Sequence, residues 1–284
     1  MHSAFFSLRP LLRAASLLIT LVSTQNASAE ELTIAGSGNP ECVLIFLAAA
    51  FNQSQSDHHV TVPPSTGTAG GLRALENRET SLARVGRPLK AEERARGLVY
   101  VSIGRDPVTF AGGAGVSITN VTVDQMISVY SGKITNWKDL GGNPGPIRAI
   151  GRESTDSSWN AMAKVFKPFE TAAFGEDVKI VHLDPQMIEL LDRYPGSLGL
   201  LNRSGLAAAK SNLVIFSLDG VKPTAENVKN GQYKLWLDFG LVHWAGQTSL
   251  AARSFIHFMR SPAGVRILLE QGVMPSTESG APRS

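Results

Sequence analysis

A chain of 284 residues with 27 Lys and Arg, 24 Asp and Glu and one cysteine, Cys42, can form no internal disulfide. Arg9 and Arg13 precede the apolar run 14–22 and the small residues Ala27-Ser28-Ala29, the layout of a secretory signal peptide over residues 1–29. Setting those two arginines aside leaves 25 basic against 24 acidic side chains, so charge gives no reason to expect a nucleic-acid or acidic-membrane partner.

The apolar run is too short to span a bilayer comfortably, and no cysteine follows it for lipid attachment. The expected product is a soluble exported protein of the periplasm. Cys42, beside an apolar helical run, reads as a buried thiol.

In chain order, Leu32 to Ala35 reads as a strand, and Gly36-Ser37-Gly38-Asn39-Pro40-Glu41 turns it into a helix over Val43 to Phe51, with Pro40 as the first helical residue. Val60 to Val62 is a second strand; Ser65 to Gly71, which contains Thr68, leads into a helix through Leu72, Leu75 and Glu76. Lys90 to Arg96 reads as a solvated helix face. Val99 to Ile103, Val108 to Phe110, Val116 to Ile118, Val178 to Val181 and Leu213 to Phe216 are further short apolar runs alternating with helical stretches, an α/β pattern. Gly141 to Pro146 is a loop. About 255 mature residues suit two lobes better than one core.

Ile147 to Ile150 and Trp159 to Phe166 bracket a strand-to-helix turn holding Arg152, Asp156, Ser157 and Ser158. Such a turn aims free N–H groups and the positive end of the helix dipole at one point, and an arginine beside hydroxyls suits an oxyanion. The plainer alternative makes Asp156 or Ser157 an ordinary N-cap and Arg152 a surface charge. Three glycine- and hydroxyl-bearing loops after separate strands suggest helix N-termini that converge. An enzyme finds less support. There is no Gly-x-Ser-x-Gly, no His-Glu-x-x-His and no cysteine pair, and the histidines show no metal-ligand spacing. No metal or cofactor is expected. His58 and His59 read as solvated and His243 as a packed core residue.

The succession of Ser65 to Gly71, Val85-Gly86-Arg87-Pro88-Leu89-Lys90-Ala91-Glu92-Glu93, Tyr130-Ser131-Gly132-Lys133-Ile134-Thr135-Asn136-Trp137, Arg152 to Ser158, Pro195 to Gly199 and Phe255 to Pro275 resembles the periplasmic phosphate-binding proteins of ABC importers and their relatives. The resemblance implies a two-lobed type II periplasmic binding protein fold with two hinge-crossing strands. It sets lobe I at residues 30–108 and 238–284 and lobe II at 109–237. It implies a monomer that captures an inorganic oxyanion, phosphate first, and hands it to an ABC permease. Alternatives are another oxyanion or small anionic solute, or a membrane sensor as the partner.

Residue by residue, the resemblance places Arg152 on the family's anion-binding arginine and Thr68 on an anion-binding hydroxyl. Ser157 and Ser158 fall on the last two positions of a Ser-Gly-Thr cap, Asp156 on its serine, and Ser37 and Asn39 in the first loop. Arg87 stands where the best-known phosphate receptors have the aspartate that accepts the proton of hydrogen phosphate and so rejects sulfate. Asp156 either takes over that proton-reading role or pairs with an arginine and abolishes phosphate binding; on sequence both readings stand. Arg87 also reads as an ordinary salt-bridge residue.

Overall fold

A computed structural model describes residues 30–276 apart from Ala172, Lys210 and Ser211; the expected signal peptide lies outside them. The main strands are β1 (Glu30–Thr33), β2 (Ala35–Gly36), β3 (His58–Thr61), β4 (Ala83–Val85), β5 (Leu98–Gly112), β6 (Arg148–Arg152), β7 (Lys179–Val181), β8 (Ser197–Asn202) and β9 (Trp236–Trp244). The main helices are α1 (Glu41–Ser54), α2 (Gly67–Glu76), α3 (Ala91–Ala95), α4 (Val123–Tyr130), α5 (Ser157–Val165), α6 (Asp184–Arg193), α7 (Arg203–Ala208), α8 (Leu250–Arg260) and α9 (Pro262–Glu270).

The principal sheet has the order β2-β4-β9-β5-β8-β6-β7, and β1 pairs with β3 in parallel apart from it. The outer pairs β2–β4, β8–β6 and β6–β7 are parallel, while β9 and β5 are antiparallel at the centre. This is a two-lobed α/β fold in which β5 and β9 are the two strands that pass between the lobes. The sequence suggests two short strands at Val99–Ile103 and Val108–Phe110, but β5 is one strand of 15 residues. Its pairing changes from β9 to β8 between Pro107 and Val108. The run Val116–Ile118, expected as a strand, is loop, and the strand expected over Leu32–Ala35 breaks at Ile34 into β1 and β2.

Helix α1 forms because Val43, Leu44, Leu47, Ala48 and Phe51 recur at helical spacing and bury one face. Phe51 meets Phe255 of α8 edge to face at 5.5 Å. Pro40 is the N-cap of α1, one position outside its expected place. The glycine loop Ser65 to Gly71 is likewise shorter than expected: α2 already begins at Gly67, which puts Thr68 in its first turn. Gly71 is required where it stands, since a Cβ there would lie 2.8 Å from the Cα of Gly36, where α2 presses on the first loop.

The motif Tyr130 to Trp137 is scaffold. The Tyr130 hydroxyl donates to the Ile150 carbonyl at 3.0 Å, and the Trp137 indole donates to the Gly196 carbonyl at 3.0 Å. Tyr130 lies against Trp159 of α5 at 5.7 Å between ring centres, and Phe174 lies 4.6 Å from Trp159. Emptying the Trp159 site would cost about 3–5 kcal/mol, so this aromatic cluster anchors α5 and, with it, the Arg152 turn.

Candidate functional site

A cleft of about 1470 Å³ runs along the loops that open α1, α2, α5 and α6. That exceeds the roughly 300–1,000 Å³ of a pocket that encloses a drug-sized molecule, so this is an open groove and not an enclosed pocket. Seven of the eight expected site residues line it: Ser37, Asn39, Thr68, Arg87, Arg152, Asp156 and Ser157. Ser158 does not. It is buried, and its hydroxyl donates to Asn202 Oδ1 at 2.8 Å.

Four of those residues meet at Gly86. A Cβ on Gly86 would stand 2.7 Å from Ser37 Oγ and 3.0 Å from both Asn39 Nδ2 and Ser157 Oγ. The Gly86 N–H donates to Thr68 Oγ1 at 3.2 Å, which leaves the Thr68 hydroxyl proton free to donate. The first loop is held in this position by Arg84, a fully buried residue that sequence reasoning missed. Its guanidinium donates to the carbonyls of Ser37 and Pro63, both at 2.7 Å, to the Ile34 carbonyl, and to Glu41 Oε2 at 2.8 Å. Burying a charge is tolerable only when its donors are satisfied in this way.

On the opposite wall Arg152 ends β6 and is 4 % exposed. Its Nη2 donates to Asp156 Oδ2 at 2.7 Å and to the His182 carbonyl at 3.1 Å. Nη1 is ion-paired with Asp184 Oδ1 at 3.1 Å, outside hydrogen-bond geometry. Nη1 and Nε have no protein acceptor. Such buried orphan donors cost about 1–3 kcal/mol each when nothing accepts from them. Asp156 uses both oxygens: Oδ1 caps α5 by accepting from the N–H groups of Ser158 at 2.9 Å and Trp159 at 3.0 Å, and Oδ2 takes Arg152. The N-cap and arginine-partner readings therefore describe the same side chain.

Arg87 is paired bidentately with Glu93 of α3, both contacts at 2.8 Å. Lys90 to Arg96 is exposed as expected, with Glu93 alone turned inward and buried. Hydrogen bonds from Arg87 bring the Glu93 carboxyl down to about 2, against the upward push of burial. Arg87 thus presents a neutralised pair to the cleft.

Asp184 is the second residue missed. It opens α6 and lies buried beside Arg152. Burial pushes its carboxyl up to about 6 against the pull of Arg152, and Asp156 and Glu41 add to the rise. Cys42 is half-buried and lines the cleft, so the expected buried thiol is only partly enclosed; burial, with the nearby acids Asp184, Glu41 and Asp106, pushes it up to about 12. His182 also lines the cleft, its Nδ1 hydrogen-bonded to Glu153 Oε2 at 2.8 Å. His243 is half-buried and held by Thr248 at 2.8 Å. Five Lys or Arg and six Asp or Glu side chains line the cleft, so any anion held here is held by directed donors and not by a positive field. Among the described residues no cluster of His, Cys, Asp or Glu could hold a metal ion, and no helix is long and apolar enough to cross a membrane.

A family model described as a PBP superfamily domain matches residues 21–263. The phosphate-binding protein PstS of Borreliella burgdorferi is 28% identical over 264 residues, 89% of this chain and 93% of that one. The phosphate-binding protein PstS of Bacillus subtilis is 26% identical over 252 residues, 87% of this chain and 81% of that one. Among solved structures, a protein from Clostridium perfringens ascribed to phosphate ABC transport, with phosphate bound, is 25% identical with a TM-score of 0.74; the match covers 87% of this chain and all of that one. An ABC-type phosphate transport receptor from Vibrio cholerae, 21% identical with a TM-score of 0.63 over 87% of this chain and 100% of that one, shares the fold.

Proposed function

The chain belongs to the PBP superfamily, and on that premise we propose that it is a periplasmic solute-binding protein that captures an inorganic oxyanion, phosphate, and delivers it to an ABC importer. The observation that carries this reading is the meeting of Ser37, Asn39 and Ser157 at Gly86, beside Thr68, in the same cleft as a buried arginine whose Nε and Nη1 make no hydrogen bond, Nη1 having only its ion pair with Asp184. Short neutral donors with one guanidinium suit a small tetrahedral anion. Relatives named for phosphate binding, matched over most of both chains, support the same ligand.

We take residues 30–108 with 238–284 as lobe I and 109–237 as lobe II; the change of β5 pairing at Pro107–Val108 supports that division. Ser37, Asn39 and Thr68 then come from one lobe and Arg152 and Ser157 from the other. A ligand that contacts both favours the closed form, because only differential binding shifts such an equilibrium. Binding and closure by a monomer are the function, with no covalent chemistry.

A thermal-shift screen of the mature protein with phosphate, sulfate, molybdate, phosphonates and small carboxylates tests the reading. Phosphate at roughly 100 times its Kd should add about 2.7 kcal/mol. Stabilisation by a carboxylate alone, with none from any tetrahedral oxyanion, would refute it.

A further inference from the structure

Arg152 has more negative charge against it than it can balance. Asp156 Oδ2 lies 2.7 Å and Asp184 Oδ1 3.1 Å from its guanidinium, and all three side chains are less than a tenth exposed. With both carboxylates ionised the group carries a net charge of about −1, and an incoming anion would deepen it by Coulomb repulsion in a poorly screened place. Asp156 cannot readily leave, since its other oxygen caps α5, a role whose loss costs about 1 kcal/mol. Asp184 makes the looser contact, at Nη1, and Nη1 and Nε are the two donors with no acceptor.

We propose that Asp184 controls the anion's access to Arg152: capture of the oxyanion is accompanied by uptake of one proton from solvent onto Asp184, which discharges the second carboxylate and leaves Nη1 and Nε of Arg152 to the anion. This rests on the oxyanion reading of the cleft. The surroundings of Asp184 favour the protonation. Arg152 and Asp156 face it from the Arg152 turn, Glu41 and Cys42 from α1, and Asp106 from β5. The Glu41 carboxylate is itself held by Arg84 at 2.8 Å, so Arg152 is the cation that acts on Asp184. Burial has already brought the Asp184 carboxyl up to about 6, within reach of a proton near neutral pH. Asp106 also sits high, at about 7 through burial. Its oxygens take the Ser204 N–H and hydroxyl, and it does not line the cleft.

Calorimetric titration of phosphate into the mature protein, in buffers of different ionisation enthalpy, counts the protons exchanged. Asp184→Asn keeps the shape of the side chain and fixes its neutral state, while the ionisation of phosphate itself is common to both proteins and cancels. The parent is expected to take up about one proton more than the variant near pH 7.5. Asp184→Asn should bind phosphate about tenfold or more tighter at about pH 8, with the two converging towards about pH 5, because linkage weakens the parent by up to about tenfold per pH unit above the carboxyl's pKa. Equal proton counts, or a variant that binds more weakly at every pH, would overturn the proposal. So would an extra proton that disappears in Asp106→Asn and persists in Asp184→Asn. Should Asp184→Asn fail to fold, the parent alone must still take up more protons than the ionisation of phosphate supplies; no excess would overturn the proposal. Binding of phosphate with matched counts defeats this inference alone, whereas absence of binding by any tetrahedral oxyanion defeats the reading of the cleft as well.

Discussion

Gly86→Ala adds one methyl group at the point where the expected ligand donors meet. Gly86 has no left-handed φ, so alanine brings no backbone strain. The added Cβ would lie 2.7 Å from Ser37 Oγ and 3.0 Å from Asn39 Nδ2 and Ser157 Oγ. Ordinary contacts to carbon begin near 3.5 Å, so each of these atoms must retreat by about 0.5–1 Å. That displacement is enough to spoil a hydrogen bond to a bound anion, and a bond to a charged group is worth about 1.5–3 kcal/mol. Losing two of the three gives about 3–6 kcal/mol, a rise in Kd of roughly 10²–10⁴-fold. The effect on stability should stay within the about 1–3 kcal/mol typical of overpacking, and towards its lower end because the cleft leaves room to move. Calorimetry with phosphate gives the first quantity and urea unfolding the second. A folded Gly86→Ala protein that binds phosphate within about threefold of the parent would show that the Gly86 cluster does not hold the ligand.

Two further expectations concern buried charge. Arg84→Met leaves the carbonyls of Ile34, Ser37 and Pro63 and the Glu41 carboxylate without their donor; unfolding in urea should show a loss of about 3–5 kcal/mol, and a loss below about 1 kcal/mol would mean that the first loop does not depend on it. Asp106 has a folded-state carboxyl raised by burial from 3.8 to about 7, so its contribution is greatest while the proton is held and declines as pH rises from about 4 to about 7. Asparagine imitates that protonated acid, so Asp106→Asn should lose less stability than the parent between about pH 5 and about pH 8, and identical melting-temperature losses would contradict this.

The parts of the site legible in the sequence are those made by neighbours in the chain. Glycine, hydroxyl residues and an apolar helical period announce a strand-to-helix turn locally, and such turns gave Ser37, Asn39, Thr68, Arg152, Asp156 and Ser157, all of which line the cleft. Ser158 belongs to the same turn, yet the helical geometry of α5 carries it inward to Asn202, a rotation that spacing alone does not fix at a helix's first residues. Asp184 and Arg84 escaped because their roles are set by distant partners: Asp184 reads as a plain acidic first turn before Pro185, and Arg84 as a charge inside the apolar run Leu82 to Val85. A signal did exist for both. A charged residue in a short strand otherwise buried must find several acceptors, and an arginine placed on a converging turn must meet a carboxylate or a ligand. Arg105-Asp106-Pro107 interrupts the apolar runs Val99 to Ile103 and Val108 to Phe110, which conceals the continuity of β5. Pro107 lacks an N–H, but it stands where β5 exchanges one partner for another, a position at which a missing ladder donor costs little. On the proposed lobe division that exchange is the crossing between the lobes, and it separates the loops carrying Ser37 and Thr68 from the turn carrying Arg152.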